Sequence, residues 1–134
     1  MKDDEIPKQF PHIVIKPWGK EIWMEVNDKY CFKELHINAQ NRTSLQYHER
    51  KKETVYVIKG TLGVLLENEI GELEKKFLNP GEFLTIVPPR KHRMFTEKTE
   101  VYYLEASYPD VNDVIRIEDD SGRKNGRIEA EHIR

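Results

Sequence analysis

The feature that most constrains the fold is a series of short apolar runs that extends from Ile13 to Tyr108. The runs are rich in Val, Ile, Leu, Phe, Tyr and Thr, a composition typical of β-strands. Pairs such as Lys59-Gly60 and Pro88-Pro89 separate the runs with residues that favour turns. Many short strands at this spacing predict an antiparallel sandwich or barrel. The predicted strands are Ile13–Lys16, Lys20–Val26, Tyr30–Ile37, Ser44–His48, Glu53–Lys59, Leu62–Glu67, Glu72–Leu78, Glu82–Val87, His92–Thr96 and Glu100–Ser107.

The length of the chain, 134 residues and 15.9 kDa, fits one domain with one core. We divide it into an N-terminal arm over residues 1–12, a folded unit over 13–123 and a polar C-terminal tail over 124–134. The best candidate for a helix lies after Pro109, and the polar tail is expected to be frayed or to contact a neighbour. The single cysteine, Cys31, makes an internal disulfide impossible.

The charge balance excludes a strongly basic protein. Lys and Arg number 22, Asp and Glu number 24, and the formal net charge is −2, so we expect no nucleic-acid partner. No apolar run is long enough for a transmembrane helix, and the N-terminal sequence MKDDEIPKQF is too polar for a signal peptide. These features predict no membrane association and a cytoplasmic location.

Two separated segments, residues 41–60 and residues 79–94, carry side chains with metal affinity. Gln46 and His48 lie two positions apart in a predicted strand and therefore share one face of it. Glu53 follows at the start of the next predicted strand, after a short turn. An inward Glu53 would have apolar neighbours of the same parity, which suits a position inside a barrel.

His92, in the second segment, could complete this set. If it points inward, its neighbours Lys91 and Arg93 point outward, where exposed cations need no partner. An amide oxygen, two imidazoles and a carboxylate would then converge, and such a set suits zinc, iron, manganese, cobalt or nickel. The alternative is that each histidine is an ordinary core or surface residue, because short metal motifs often occur by chance.

The two segments resemble the two cupin motifs, the second of which spans residues 81–92. In the first motif, two metal ligands two positions apart are followed by a glutamate and a glycine, and the second motif supplies the last histidine ligand. The corresponding residues here are Gln46, His48, Glu53, Gly60 and His92. Glutamine in the first ligand position, within SLQYH at residues 44–48, resembles the cupin domain of type II mannose-6-phosphate isomerase.

Two flanking stretches resemble the same isomerase. KPWG at residues 16–19 is similar to its RPWG, and DVIRIEDDSGR at residues 113–123 is similar to its closing DIVRxEDxYGR. The chain also departs from the family pattern. The glycine expected between Pro89 and the last histidine is missing, so that loop is one residue shorter and carries Arg90, and Ser121 replaces a tyrosine.

The resemblance implies an all-β fold, the double-stranded β-helix or jelly roll of the cupins, as a single domain with short polar arms. It implies one divalent metal ion in the mouth of the barrel, for which zinc is our first choice. It also implies a homodimer, which could bury Trp18, Ile22 and Trp23. The alternative for the two tryptophans is the core of the single chain, since Trp is usually highly buried in either case.

The implied activity is metal-dependent aldose–ketose isomerisation of a sugar phosphate such as mannose 6-phosphate. The metal would stabilise negative charge while a base moves a proton between adjacent carbons. The predicted catalytic residues are Glu105 and Arg116, and the predicted substrate-binding residues are Arg90, Arg50, Lys51 and Tyr103. Alternatively, Arg116 forms a salt bridge with Asp113 or Glu118, and Glu105 pairs with Lys33 or another cation.

Two other functions are compatible with the same scaffold. The first is an iron-dependent dioxygenase, and the second is a non-catalytic module that binds a sugar, a sugar phosphate or a sugar nucleotide. Gln46 in the first ligand position favours sugar chemistry over oxygen chemistry. The fold alone does not separate these functions, because each is determined by the site.

Overall fold

The structure is a computed structural model that describes residues 6–110, 112–120 and 126–127. Each of the ten predicted runs overlaps one strand, and two further strands follow near the C-terminus. The strands are β1 (His12–Lys16), β2 (Gly19–Val26), β3 (Cys31–Ile37), β4 (Leu45–Tyr47), β5 (Glu53–Lys59), β6 (Leu62–Glu67), β7 (Leu73–Leu78), β8 (Phe83–Ile86), β9 (His92–Phe95), β10 (Val101–Ser107), β11 (Ile115–Glu118) and β12 (Gly126–Arg127).

The strands form two six-stranded antiparallel sheets. Sheet A has the order β1-β2-β3-β10-β5-β8, and sheet B has the order β12-β11-β4-β9-β6-β7. Strands that are distant in sequence are neighbours in space, since β10 lies between β3 and β5. The prediction of an all-β jelly roll is therefore confirmed.

The core lies between the inner faces of the two sheets. In β3 and β10 every second residue is buried, as expected for strands with one face turned to the interior. Trp18 and Trp23 are only 5% and 1% exposed, so both belong to the interior of the single chain and not to an outer surface. Of the two alternatives for the tryptophans, burial within the chain is the correct one. The main core cluster consists of Trp18, Leu35, Ile37, Val55, Val57, Leu62, Val64, Leu66, Ile86, Met94, Val101 and Tyr103.

The register of sheet B brings three polar side chains into one row. Arg116 on β11 lies opposite Gln46 on β4, and Gln46 lies opposite His92 on β9. All three line a single cavity between the sheets, together with Glu53 from β5 of sheet A. Residues that are separated by up to 70 positions in the sequence thus share one interior space.

The expectation of a helix after Pro109 is wrong for the part of the chain that the structure describes. Ile115–Glu118 is a strand that pairs with β4 on one side and with β12 on the other. The prediction for the polar tail over 124–134 falls, apart from Gly126–Arg127, outside the described residues. Among the residues that are described, we find no helix with the length and apolar character required to cross a membrane.

The expectation that Arg93 is an exposed cation is also wrong. Its side chain does point away from the core, but it is 3% exposed because the segment that contains β11 covers it. Its guanidinium group donates to the main-chain oxygens of Thr43 and Glu118, at 2.7 and 3.2 Å. The group also lies near the carboxylates of Glu118 and Asp120. Arg93 thereby fastens the C-terminal segment to sheet B.

Candidate metal centre

Three buried side chains meet between the two sheets. Glu53 begins β5 in sheet A, His92 begins β9 in sheet B, and His48 directly follows β4. Nε2 of His48 lies 3.2 Å and Nε2 of His92 lies 3.0 Å from the same oxygen, Oε1 of Glu53. The three potential ligand atoms all lie within 4.8 Å of one another. We call these three residues the triad.

Each imidazole of the triad is oriented by a main-chain carbonyl. Nδ1 of His48 donates to the oxygen of Asp113 at 2.6 Å, and Nδ1 of His92 donates to the oxygen of Arg90 at 3.0 Å. Because Nδ1 carries the proton in these hydrogen bonds, Nε2 is the nitrogen that faces Glu53, where it donates to the carboxylate when protonated and can offer its lone pair to a metal ion when not. Proteins commonly prepare histidine for metal binding in this way.

The electrostatics of the triad favour a cation beside Glu53. Burial alone would raise the pKa of Glu53, but hydrogen bonds from His48 and His92 hold that pKa well below its ordinary value. Burial alone would lower the pKa of His92, and the hydrogen bond and charge of Glu53 raise it above its ordinary value. The carboxylate is therefore anionic, and a proton or a metal ion can compensate its charge.

The donor set of the triad fits a divalent metal ion. Two ligand atoms that each lie about 2.1 Å from one ion are about 3.0–3.4 Å apart at octahedral or tetrahedral angles. The two N···O separations in the triad, 3.2 and 3.0 Å, fall in this range. Gln46, the fourth predicted ligand, lines the same cavity, and its Oε1 accepts a hydrogen bond from Oγ of Ser44 at 2.8 Å. Two imidazoles and one carboxylate suit zinc and also iron, with positions left open for a ligand.

A second buried carboxylate, Glu105 on β10, points into the same cavity. One of its oxygens lies 3.1 Å from Nζ of Lys51 and accepts a hydrogen bond from Oγ of Ser107 at 2.8 Å. Burial alone would lower the pKa of Lys51, but the charges of Glu105 and then Glu53 raise it above its ordinary value. Tyr103 also lines the cavity, and burial followed by the charge of Glu105 raises the pKa of its hydroxyl well above the ordinary value.

The cavity contains three charged residues that the sequence analysis did not assign to the site: Lys16, Glu21 and Lys33. Nζ of Lys33 lies 3.3 Å from Oε1 of Glu21 and 4.6 Å from the ring centre of Trp23. Glu21 also accepts the indole N–H of Trp23 at 2.8 Å. Parity was the available signal, because Lys33 alternates in phase with the buried residues of β3.

The predicted arginines differ in where they lie. Arg116 is 3% exposed and lines the cavity, opposite Gln46 in the register. Arg50 is exposed, with its guanidinium group 3.8 Å from the carboxylate of Asp110, and it does not line the cavity. Arg90 lies in a surface groove beside Val87, and its Nε donates to the main-chain oxygen of Glu67. The main chain of Arg90, through its carbonyl, is what contacts the triad.

Comparison with curated proteins identifies two longer relatives. The chain is 29% identical over 113 residues to the mannose-1-phosphate guanylyltransferase ManC of Salmonella typhimurium. It is equally similar to a mannose-1-phosphate guanylyltransferase of Escherichia coli. The match covers 82% of this chain but 23% of each relative, so the chain spans less than a quarter of their length.

Comparison with solved structures supports the fold. The capsular polysaccharide assembling protein CapF of Staphylococcus aureus superposes with a TM-score of 0.70 at 13% identity, over 81% of this chain and 34% of that one. An oxalate decarboxylase of B. subtilis gives a TM-score of 0.70 at 14% identity, over 80% and 30%. KdgF of Halomonas sp. gives 0.64 at 19% identity and is matched over 95% of its own chain, with 84% of this one. At these identities the likeness concerns the fold alone.

The family assignment rests on the sequence of nearly the whole chain. The family model described as mannose-6-phosphate isomerase C-terminal matches residues 3–119, which include the triad, Gln46 and Arg116. Its match agrees with the cupin fold of the structural neighbours and with the motifs around SLQYH. The chain therefore belongs to the mannose-6-phosphate isomerase C-terminal family of cupin domains.

Proposed function

We propose that the protein is a metal-dependent aldose–ketose isomerase that acts on a sugar phosphate resembling mannose 6-phosphate. The observation that carries this proposal is one buried cavity that combines a metal-binding triad, a second carboxylate and several cations. The family membership and the two guanylyltransferase relatives, both named for a mannose phosphate, support a sugar phosphate as ligand.

We assign one divalent ion to Gln46, His48, Glu53 and His92, with zinc as first choice and iron, manganese, cobalt or nickel as alternatives. When bound, such an ion supplies a Lewis acid that stabilises negative charge on the neighbouring oxygens of the sugar. The residues of the chain would orient the sugar, bind its phosphate group and transfer a proton.

The charge of the cavity favours a dianionic ligand. The charged residues that line it, apart from the histidines, are the cations Lys16, Lys33, Lys51 and Arg116 and the carboxylates Glu21, Glu53 and Glu105. The cations exceed the carboxylates by one, and a divalent metal ion adds two further positive charges. An excess of positive charge in the lining attracts an anion, so a phosphate dianion is a better partner for this cavity than a neutral sugar.

We assign the proton transfer to Glu105 and the phosphate to Arg116 and Lys51. Glu105 would remove the proton from C2 of the aldose and return it to C1, while the hydroxyl proton of O2 passes to O1. The two transfers together convert aldose to ketose without any net gain or loss of atoms. Arg116 can give a phosphate paired N–H donors, and Tyr103 can donate from its neutral hydroxyl. For Arg50 and Arg90, which lie outside the lining of the cavity, a role in substrate binding stays a prediction.

The test combines elemental analysis of the purified protein with an assay of mannose 6-phosphate to fructose 6-phosphate conversion in the presence of the metal found. The proposal expects about one metal ion per chain and turnover. Arg116→Gln should raise KM for the sugar phosphate at least about tenfold, because a charged hydrogen bond to the phosphate is lost. Arg42→Gln, which changes an exposed arginine paired with Asp120, is the matched control and should leave KM unchanged.

Other outcomes of the same experiment favour the alternatives. Metal binding with saturable sugar-phosphate or sugar-nucleotide binding but no turnover would replace the isomerase with a binding module. Iron with sugar-dependent oxygen consumption would favour the dioxygenase, since two histidines and one carboxylate also form the iron site of oxygenases. A protein that binds no metal under any loading condition would overturn the proposed site.

We also propose a homodimer. Apolar side chains exposed on sheet A support it: Ile13 and Ile15 on the edge strand β1, and Tyr56 and Phe83 near the opposite edge, on β5 and β8. A partner chain could cover one of these two edges. Light scattering of the purified chain should give about twice the 15.9 kDa of one chain. Ile15→Lys should lower that mass, whereas a monomeric wild-type protein would contradict the proposal.

A further inference from the structure

Asp113 joins the C-terminal segment of the chain to the metal centre through two different groups. Its carboxylate accepts hydrogen bonds from three successive main-chain N–H groups, those of Glu49, Arg50 and Lys51, at 3.1, 2.7 and 3.0 Å. Its main-chain oxygen accepts the Nδ1 proton of His48 at 2.6 Å. Asp113 itself is 1% exposed, although it lies outside the strands.

The carboxylate of Asp113 controls a turn on which the triad depends. Residues 49–51 belong to the connection between β4 and β5, so they set the distance and angle between His48 and Glu53. Three N–H groups that converge on one carboxylate restrict this connection strongly, because charge-assisted hydrogen bonds are short and directional. Burial alone would raise the pKa of Asp113, but the N–H groups of the connection lower it, so the acceptor is an anion at neutral pH.

The two imidazoles of the triad are supported in different ways. His92 is held by the carbonyl of Arg90, which lies two residues earlier, just before β9. His48 is held by the carbonyl of Asp113, which is 65 residues away in the sequence. The orientation of His48 therefore depends on how the C-terminal segment docks, and the side chain of Asp113 is a direct part of that docking.

We infer that Asp113 is a positioning residue for the metal centre. Its side chain fixes residues 49–51 and so places Glu53, and its main-chain oxygen fixes the ring of His48 with Nε2 directed towards the metal. A substitution that removes the carboxylate keeps the carbonyl but releases it from its anchor, which allows His48 to turn. This inference rests on the proposed metal site, and it gives Asp113, the first residue of the closing DVIRIEDDSGR stretch, a role that the sequence analysis did not assign.

The test compares Asp113→Ala and Asp113→Asn with Asp120→Asn, all in the full chain. Asp120 is the matched control, because it lies on the same segment and pairs with Arg42 and Arg93 without touching the triad. The readouts are the dissociation constant for Zn²⁺, measured by competition with a chromophoric chelator, and the visible absorption spectrum of the Co²⁺-loaded protein. Folding of each variant is checked by circular dichroism, so that metal affinity is compared among folded proteins.

We expect Asp113→Ala to weaken Zn²⁺ binding by about 10–100-fold, the usual effect of losing a group that orients a metal ligand. Its Co²⁺ spectrum should change, since the position of one imidazole changes. Asp113→Asn should weaken Zn²⁺ binding less, because its amide oxygen can still accept a hydrogen bond from the main-chain N–H groups of residues 49–51. Asp120→Asn should keep the wild-type affinity and spectrum.

Wild-type affinity and spectrum in folded Asp113→Ala would overturn the inference, as would an equal loss in Asp120→Asn. If Asp113→Ala does not fold, Asp113→Asn decides, and wild-type values in that variant overturn the inference. The outcome for the wild type separates the two proposals. If the wild-type protein binds neither Zn²⁺ nor Co²⁺, the proposed metal site and this inference both fail. If the wild-type protein and Asp113→Ala bind Zn²⁺ with equal affinity, only this inference fails.

Discussion

Glu53 and Glu105 are two carboxylates of one cavity, on the neighbouring strands β5 and β10, and they are almost equally buried, at 4% and 6% exposed. Their partners differ. Glu53 has two imidazole nitrogens at 3.2 and 3.0 Å, whereas Glu105 has the ammonium group of Lys51 at 3.1 Å. We call these two parts of the cavity the imidazole end and the lysine end.

The difference teaches how one cavity can hold two carboxylates with separate tasks. A lysine keeps its charge over the whole neutral range, so the lysine end is already neutralised and needs no further cation. An imidazole can give up its proton, so the imidazole end can exchange protons for a metal ion. The partner residues, not the carboxylates themselves, decide which end is suited to a metal ion.

The largest effect that we expect is a loss of protein stability when the charge of Glu105, at the lysine end, is removed. Glu105→Gln removes the charge that compensates buried Lys51 and should destabilise the protein by about 3–5 kcal/mol. Urea unfolding at pH 7 measures this loss. The double change Lys51→Met with Glu105→Leu should recover most of the stability, because replacing both charges by apolar groups leaves no uncompensated ion.

An exposed pair provides the control for that prediction. Glu100 lies 3.4 Å from Lys59, but both side chains are largely in solvent, at 46% and 60% exposed. Glu100→Gln should therefore change the free energy of unfolding by less than about 1 kcal/mol. Equal losses of stability for Glu105→Gln and Glu100→Gln would show that the lysine end is solvated. The lysine end would then not differ from the imidazole end in the way proposed.

The next effect concerns metal affinity at the imidazole end. His48→Ala and His92→Ala should each weaken metal binding by more than about 100-fold while the fold persists, because the loss of a ligand exceeds the loss of a group that only orients one. Elemental analysis after dialysis and circular dichroism measure the two properties. His36→Ala, which removes a histidine paired with Glu34 on the outer face of sheet A, is the matched control. Full metal retention in both triad variants would refute the ligand assignment.

The sequence predicted this fold well because its signal is local. The strand runs are short, rich in β-favouring residues and separated by turn residues, and β3 and β10 bury every second residue as strand geometry requires. Parity predicted that Gln46 and His48 share one face, and the lining of the cavity contains both, together with His92 and Glu105. Local patterns thus sufficed for the strands, whereas the prediction of the site also depended on the resemblance to the two cupin motifs.

The remaining features depend on contacts between distant parts of the chain. β11 has only four residues, two of them charged, and it forms because β4 offers it a pairing edge; the sequence near β11 does not identify that partner. Arg93 has the predicted outward parity, yet the segment that contains β11 covers it. Lys33 has the parity of the buried residues of its strand, and its burial is possible because Glu21 on the neighbouring strand compensates its charge.

The smallest expected effects are those of removing two serine hydroxyls, one at each end of the cavity. The two hydroxyls donate hydrogen bonds of equal length. Oγ of Ser107 donates to Glu105 at 2.8 Å at the lysine end, and Oγ of Ser44 donates to Gln46 at 2.8 Å at the imidazole end. Each change to alanine removes one side-chain hydrogen bond, buried for Ser107 and partly buried for Ser44, and should cost about 1 kcal/mol of stability in urea unfolding. Only Ser44→Ala should also weaken Zn²⁺ binding, by up to about tenfold, because it releases the oxygen of a proposed ligand. If Ser107→Ala weakens Zn²⁺ binding as much, the two ends respond as one coupled unit, and the metal affinity then depends on the whole charge network of the cavity.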